Sequence, residues 1–148
     1  SMKLIFLIPI FFFLINTSKS DDSLSSFLWK NRLLLIFLDN EDAETVESIS
    51  SSLNKLSCDL NDRDMLIGWF TNEKQEINNI QINDNEIKNI KTRAKINSNT
   101  ITVLLIGKDG GIKARYNNMP DLKEVFSLID RMPMRRSEMK KDKTVCSS

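Results

Sequence analysis

The fold of this protein can be inferred outward from one run of six residues, Leu33-Leu34-Leu35-Ile36-Phe37-Leu38. The run is apolar without alternation, which is typical of a strand buried on both faces in the middle of a sheet. Acidic residues follow it, so we expect Asp39 or Asn40 to cap a helix that ends near Ser57. The apolar stripe of that helix is Val46, Ile49, Leu53 and Leu56. A second apolar run at 65–70 completes a strand–helix–strand unit, whose crossover should be right-handed.

The next third of the chain predicts a loop, a helix and a hairpin. Residues 71–83 are rich in asparagine and weakly patterned, which predicts a loop before a helix at about 84–95. A third apolar strand is predicted at 100–106. The glycines of Lys108-Asp109-Gly110-Gly111 suit a tight turn, and the alternating residues 112–116 then return as an antiparallel edge strand. The rest of the sheet is expected to be mainly parallel, with 33–38 in its centre.

The last predicted helix begins at Asp121. Glu124 follows three positions later, which is the spacing of a capping box. Pro133 is expected to end it. Residues 134–148 are strongly basic, which indicates a polar tail. The order is β-α-β-α-β-β-α, an α/β domain of three layers around a mixed central sheet over residues 27–133.

The first twenty residues have the pattern of a secretion signal. Lys3 precedes the unbroken apolar run at 4–15, and Ser18-Lys19-Ser20 is a small-x-small cleavage site. Twelve apolar residues rise only about 18 Å as a helix, which is short for a membrane anchor, the alternative reading. We therefore expect the protein outside the cytoplasm, extracellular or, in a Gram-negative bacterium, periplasmic. Removal of 1–20 takes the formal net charge from +1 to −1, which predicts no attraction to nucleic acid.

The chain contains no histidine, which excludes Ser-His-Asp and Cys-His nucleophilic sites and histidine-bound metal. No metal or cofactor is expected, and an enzyme would depend on carboxylates, lysine, Tyr116 or a thiol. The two cysteines, Cys58 and Cys146, could be bridged in an oxidising compartment, or the tail cysteine could pair between chains. Cys58 is predicted off the buried face near a helix end beside Asp59, where a thiolate is disfavoured.

The element order resembles that of thioredoxins, and Thr102-Val-Leu-Leu-Ile-Gly-Lys-Asp-Gly-Gly111 is similar to their third-strand-to-hairpin segment. Their redox cysteines lie just after the first strand, where a helix N-terminus activates a thiol. Here those positions read Leu38-Asp39-Asn40-Glu41-Asp42, without cysteine. The proline that thioredoxins place before the third core strand is also missing from Asn97-Ser98-Asn99-Thr100. The resemblance therefore implies the fold without the redox site.

Four segments resemble a more specific family. They are Trp29-Lys-Asn-Arg-Leu-Leu-Leu-Ile-Phe37, Asp62-Arg-Asp64, Leu105-Ile-Gly-Lys-Asp-Gly-Gly-Ile-Lys113 and Ile129-Asp-Arg-Met-Pro-Met-Arg-Arg-Ser-Glu-Met139. Together they are similar to the domain of unknown function shared by sushi-repeat-containing X-linked proteins, the coiled-coil-domain matrix protein known as down-regulated by oncogenes, and small secreted bacterial proteins. The resemblance implies a peroxiredoxin-like fold, secretion, and a role in extracellular matrix or cell adhesion, with no catalytic residues to carry over.

These observations predict a secreted, non-catalytic thioredoxin-like module that binds a protein or an acidic polysaccharide. The alternative is a thiol oxidoreductase or peroxide-reducing enzyme that uses Cys58. Trp29 and Trp69 are expected to pack beside the apolar strands. The candidate binding residues are Arg63, Lys108, Arg131, Arg135 and Arg136. For Arg63 we also expect a local ion pair that fixes the turn before the second strand.

Overall fold

The computed structural model describes residues 24–39, 43–97 and 99–142, together with Lys3 and Cys146. The predicted secretion signal, apart from Lys3, lies outside these residues, and so does the predicted cap at Asn40. Within the part of the chain that is described, no helix is long and apolar enough to cross a membrane.

In the described residues, six strands and five α-helices follow a short 3₁₀ helix at Leu24–Phe27. They are β1 (Arg32–Leu38), α1 (Ala43–Lys55), α2 (Ser57–Asp62), β2 (Met65–Thr71), β3 (Gln75–Ile77), β4 (Ile80–Gln81), α3 (Asp84–Arg93), β5 (Thr102–Ile106), β6 (Ile112–Tyr116), α4 (Leu122–Asp130) and α5 (Pro133–Lys141). The strands form one mixed sheet in the order β4-β3-β2-β1-β5-β6. The α/β class predicted from the sequence is confirmed.

β1 lies in the middle of the sheet, between β2 and β5, as its unbroken apolar run predicts. Each of its seven residues is buried. Alternate side chains pack on opposite faces: Leu33, Leu35 and Phe37 contact the α3 side, and Leu34 and Ile36 contact α1 and α4. A strand covered on both faces needs no polar face, and this explains the absence of alternation.

The expectation of a mainly parallel sheet is wrong. Only β1 and β2 are parallel, and β5 runs antiparallel to β1, with Phe37 opposite Thr102. The segment between β2 and β5 begins and ends at the same end of the sheet, so the chain enters β5 in the opposite direction. β6 pairs antiparallel to β5 and forms an edge, as predicted.

The predicted loop at 71–83 contains a hairpin instead. β3 pairs antiparallel with β2 and then with β4, which adds two short strands to the sheet. Asn78 and Asn79 form the turn with φ values of 50° and 64°. Asparagine tolerates this left-handed conformation, which two-residue hairpin turns require. The sequence does not predict this hairpin, because strands of three and two residues are too short to show an alternating pattern.

The prediction of a polar tail from residue 134 onward is also wrong for its first half, because Pro133–Lys141 is a helix. Pro133 ends one helix and starts the next: α4 stops at Asp130, and Pro133 is the first residue of α5. Proline suits that position, since it needs no hydrogen bond from its nitrogen and its φ is already helical. Asp121 caps α4 by accepting a hydrogen bond from the Lys123 N–H, as predicted.

The first predicted helix continues beyond Ser57 but is interrupted at Leu56. α1 ends at Lys55, and α2 runs from Ser57 to Asp62. Cys58 is exposed, as the apolar stripe predicts, but it lies in the first turn of α2 and not at the end of a helix.

Candidate functional site

Several loops converge at the end of the sheet where β1 and β2 begin and β5 ends. Arg32 is opposite Met65, and Leu33 is opposite Ile106. The turn before β1, the α2–β2 turn, the β5–β6 turn and α5 meet there. We call this end of the molecule the amino end, because both parallel strands begin at it.

Glu138 of α5 joins two buried cations at the amino end. Its carboxylate accepts hydrogen bonds from the Arg32 guanidinium at 2.9 and 3.2 Å and from the Lys108 ammonium at 2.7 Å. Lys108 also donates to Asp64 at 2.7 Å, and Arg32 donates to the Arg63 carbonyl at 3.0 Å. One carboxylate therefore links the start of β1, the turn after β5 and the C-terminal helix.

A second group of charges continues the network towards α4. Arg63 donates to both carboxylate oxygens of Asp130, at 3.0 and 2.8 Å, and its guanidinium lies 4.4 Å from the centre of the Phe126 ring. Arg135 donates to Asp130 at 3.0 Å and to Asp62 at 2.7 Å. Such charge-assisted, partly bidentate bonds are strong and directional. Among the described residues, every buried side-chain nitrogen and oxygen has a hydrogen-bond partner.

The network keeps its charged forms. Burial alone would raise the pKa of the Glu138 carboxyl, but hydrogen bonds from Arg32 and Lys108 outweigh it and hold that pKa below its usual value. The pKa of Asp130 is lowered likewise, because hydrogen bonds from two arginines overcome the effect of burial. Burial would lower the pKa of Arg135, but its two aspartate partners raise it. At neutral pH the network is a set of ion pairs.

The network contains three of the five predicted binding residues. Arg63, Lys108 and Arg135 are 9%, 9% and 4% exposed, and each is paired with carboxylates of the same chain. Their charge is therefore directed inward. The local ion pair expected for Arg63 is present, with Asp59 at 3.5 Å and Asp62 at 3.9 Å. The guanidinium also forms a shorter, bidentate pair with Asp130, 67 residues away.

Arg131 and Arg136, the other two predicted binding residues, are exposed. No ion pair joins either side chain to an acid among the residues described. The network also holds five residues that the sequence reasoning did not select: Arg32, Asp62, Asp64, Asp130 and Glu138. Glu138 offered a signal, because it is the one acid within the basic segment 131–141.

The disulfide lies beside the network. Cys58 of α2 and Cys146 are bonded, with sulfur atoms 2.02 Å apart and Cα atoms 5.8 Å apart. The bond joins positions separated by 88 residues and attaches the C-terminal end of the described chain to α2. A covalent link over so long a loop restricts the unfolded chain strongly.

Trp29 is a large apolar side chain that lies exposed at the amino end. The expectation that it packs beside β1 is wrong, because it is 67% exposed, whereas Trp69 packs against the core. Trp29 follows the 3₁₀ helix with a φ of 65°, a conformation that usually belongs to glycine. The left-handed backbone costs an L-residue about 1 kcal/mol. It turns the chain before β1 and points the indole away from the strand.

The opposite end of the sheet is where thioredoxins carry their redox site. β1 ends there at Leu38 and Asp39, and a shallow groove beside the first turns of α1 is lined by Ser48, Ile49, Ile101, Asn118 and Met119 among others. No cysteine occurs in this segment of the sequence, and Cys58 lies at the amino end instead. Among the described residues, no cluster of three or more His, Cys, Asp or Glu side chains could hold a metal ion.

Fold and site together define a thioredoxin-like α/β protein with an ionic network at the amino end of its sheet and no cysteine in the segment directly after β1. The chain belongs to the family described as "Domain of unknown function (DUF4174)", which matches residues 23–138. The family resemblance drawn from the four sequence segments is thereby confirmed.

Coiled-coil domain-containing protein 80 of Danio rerio is 26% identical over 136 residues, which cover 80% of this chain and 16% of that protein. The chain thus spans a small part of this relative's length. Among solved structures, the reduced 2-Cys peroxiredoxin of Plasmodium vivax has a TM-score of 0.55 at 17% identity, over 77% of this chain and 84% of that one. Thioredoxin peroxidase I of Plasmodium yoelii has a TM-score of 0.53 at 20% identity, over 83% and 82%. These structures confirm the thioredoxin-like fold.

Proposed function

We propose that this protein is a secreted, non-catalytic binding module whose partner is another macromolecule outside the cell, a protein or an acidic polysaccharide. The apolar run at 4–15 and the cleavage site at 18–20 support secretion. The family resemblance drawn from the sequence includes secreted proteins associated with matrix and adhesion, and it supports the same location.

One observation carries the non-catalytic part of the proposal. The residues after β1 are acidic where a thioredoxin-like enzyme needs a thiol, and both cysteines of the chain are bonded to each other at the other end of the sheet. An enzyme of this fold needs its nucleophile at a helix N-terminus beside the carboxyl end of β1. The ionic network does not replace it, because its charges are satisfied by one another.

The binding part of the proposal rests on the exposed side chains of the amino end. Arg131 and Arg136 are exposed beside a network whose own charges are neutralised, and Trp29 adds a large apolar surface. Exposed aromatic and arginine side chains are enriched where macromolecules bind. For an acidic polysaccharide, Arg131 and Arg136 would supply the contacts, since Arg135 is occupied by Asp62 and Asp130.

The competing function is thiol or peroxide chemistry at Cys58, and a direct assay separates the two. Peroxide consumption and insulin-disulfide reduction are measured for the full secreted chain and for Cys58→Ser, each in the presence of a dithiol reductant. We expect both proteins to remain at background. Activity in the parent chain that disappears in Cys58→Ser would establish the enzyme instead.

A second assay addresses the acidic polysaccharide. The salt concentration that elutes the chain from immobilised heparin is compared between the parent and the double variant Arg131→Ala/Arg136→Ala. A matched control replaces two exposed cations of α3, Lys88 and Arg93. We expect Arg131→Ala/Arg136→Ala to lower the salt concentration at which the chain elutes and the control pair to leave it unchanged. Equal effects of the two pairs would remove the polysaccharide from the proposal.

A further inference from the structure

Trp29 combines two features that folding alone does not favour. It is 67% exposed, the most of any large apolar side chain among the described residues, and its φ of 65° is unfavourable for a residue with a side chain. Glycine or asparagine would relieve the backbone and expose less apolar surface. A costly conformation that presents a tryptophan to solvent points to a role in recognition.

The backbone around Trp29 is firmly held. Its N–H donates to the carbonyl of Lys108 at 2.7 Å, and the N–H of Asn31 donates to the carbonyl of Phe27 at 3.0 Å. Leu28 packs so closely on the β5–β6 turn that a Cβ at Gly110 would lie 2.7 Å from it. Lys108 is fixed in turn by the ionic network. Tryptophan on a rigid support loses little conformational freedom on binding, which is what a binding hot spot requires.

A second exposed apolar side chain adjoins the same residue. Met134 of α5 is 41% exposed and lines a shallow cleft with Gly107, Lys108, Met132 and Pro133. Trp29 and Met134 are therefore both next to Lys108: the Trp29 N–H bonds to its carbonyl, and Met134 lines a cleft with it. Methionine adapts its shape to apolar groups that pack on it.

Many acids around this surface are paired within the chain. Six of them form ion pairs with its cations: Asp59, Asp62, Asp64, Asp109, Asp130 and Glu138. Lys30, Arg131 and Arg136 are exposed, and no ion pair joins them to an acid among the described residues. Among the described residues, these exposed cations are the charges of this end that no ion pair within the chain offsets.

We infer that Trp29, Lys30 and Met134 form a docking surface for an acidic segment of a partner protein that packs an apolar side chain against Trp29. The inference rests on the proposed function and deepens it by choosing a protein as the partner. An apolar centre within a charged rim is the arrangement of a protein–protein interface. A sulfated polysaccharide offers no apolar side chain to cover Met134, so the protein is favoured.

The test uses the full secreted chain with its disulfide intact. A phage-displayed library of random short peptides is selected on the immobilised protein. Enriched peptides should combine several Asp or Glu residues with an aromatic or large aliphatic residue, and their binding should weaken as salt rises. The affinity of the best peptide is then measured for the parent, for Trp29→Asn and for the control Ile80→Asn.

The two variants separate docking from folding. Asparagine accepts the left-handed conformation, so Trp29→Asn should fold normally, with an unfolding midpoint in urea no lower than that of the parent. Ile80 is also exposed, at 37%, but lies on β4 at the far edge of the sheet. We expect Trp29→Asn to weaken peptide binding at least about thirtyfold, the threshold of an interface hot spot, and Ile80→Asn to leave it unchanged.

Three results would overturn the inference. They are enrichment of neutral or basic peptides, a selection that enriches nothing above the empty support, and a loss below tenfold in Trp29→Asn. Heparin retention that survives Trp29→Asn, without selected acidic peptides, would overturn the protein partner and leave the proposed binding function in place. Peroxide consumption dependent on Cys58 would instead overturn the proposed function, whatever the peptides show.

Discussion

Replacement of Glu138 by glutamine removes one negative charge from the centre of the ionic network and keeps the shape of the side chain. The carboxylate is 24% exposed, while its partners Arg32 and Lys108 have side chains that are only 3% and 8% exposed. After Glu138→Gln, two largely buried cations lose their shared counter-charge. The amide NH₂ of glutamine is itself a hydrogen-bond donor, so it cannot bond to the Arg32 guanidinium or the Lys108 ammonium, which are also donors.

The structure sets the size of the expected loss. Removal of one partner from a buried ion pair costs 3–5 kcal/mol, because an uncompensated charge stays out of water. Glu138 is partly exposed, and Lys108 retains Asp64, so we expect about 3 kcal/mol, near the lower limit of that range. For a domain of this size, the loss corresponds to a fall of about 10 °C in the melting temperature.

The assay is urea unfolding at neutral pH, followed by tryptophan fluorescence with the disulfide intact. Lys113→Gln is the matched control, because it breaks an ion pair with Asp109 whose side chains are 34% and 43% exposed. An exposed ion pair contributes at most about 1 kcal/mol. A loss below 1 kcal/mol in Glu138→Gln, or a loss equal to that of the control, would refute the idea that the network behaves as a buried one.

Three further predictions concern the same fold. The pKa values of Asp130 and Glu138 lie below their usual values. The stability that these carboxylates contribute is therefore present above their unfolded pKa of about 4 and is lost as the pH falls through their folded pKa values. A free energy of unfolding that stays flat from about pH 5 to pH 2 would contradict this. Cys58→Ser removes a disulfide across 88 residues and should lower the free energy of unfolding by up to about 4 kcal/mol. An unchanged midpoint of urea unfolding would show that the disulfide does not restrict the unfolded chain. Gly68→Ala should lower the free energy of unfolding by about 1–3 kcal/mol, because its new methyl group would lie 2.6 Å from a methyl group of buried Leu35. A melting temperature of the variant at or above that of the parent would be the contrary result.

The elements that the sequence predicted well are those whose pattern is long and local. The run at 33–38 identifies the central strand, because only a position covered on both faces tolerates six consecutive apolar residues. The turn before β6 was predicted from its glycines, and Gly110 has a φ of 82° that few other residues accept. Asp121 was predicted as a cap from the capping-box spacing to Glu124, and its side chain accepts a hydrogen bond from the N–H of Lys123, only two residues away.

The elements that the sequence did not predict are short or depend on distant partners. β3 and β4 have too few residues for a periodic pattern, and pairing with β2 stabilises them. α5 is almost without apolar residues, so its sequence is typical of a solvated tail. It packs because Arg135 and Glu138 form ion pairs with Asp62, Asp130, Arg32 and Lys108, and the partners Arg32 and Glu138 are 106 residues apart.

The candidate site shows the same division. Arg63, Lys108, Arg131, Arg135 and Arg136 form a basic group in the sequence, which records the sign of each charge but not its surroundings. Folding pairs three of them with carboxylates and leaves the other two exposed. Trp29 was expected beside the strand that follows it, but a single left-handed residue turns it outward.

Four features follow from the amino-acid sequence alone: the α/β class, the central strand, the lack of a redox cysteine directly after that strand, and the family resemblance. Each of these depends on residues that are adjacent or periodic in the chain. Three others emerge only in the folded protein: the direction of β5, the packing of α5, and which charges face inward and which face solvent. Those features depend on contacts between residues far apart in sequence, because a charge becomes costly or useful only when folding fixes how much water and which counter-charge surround it.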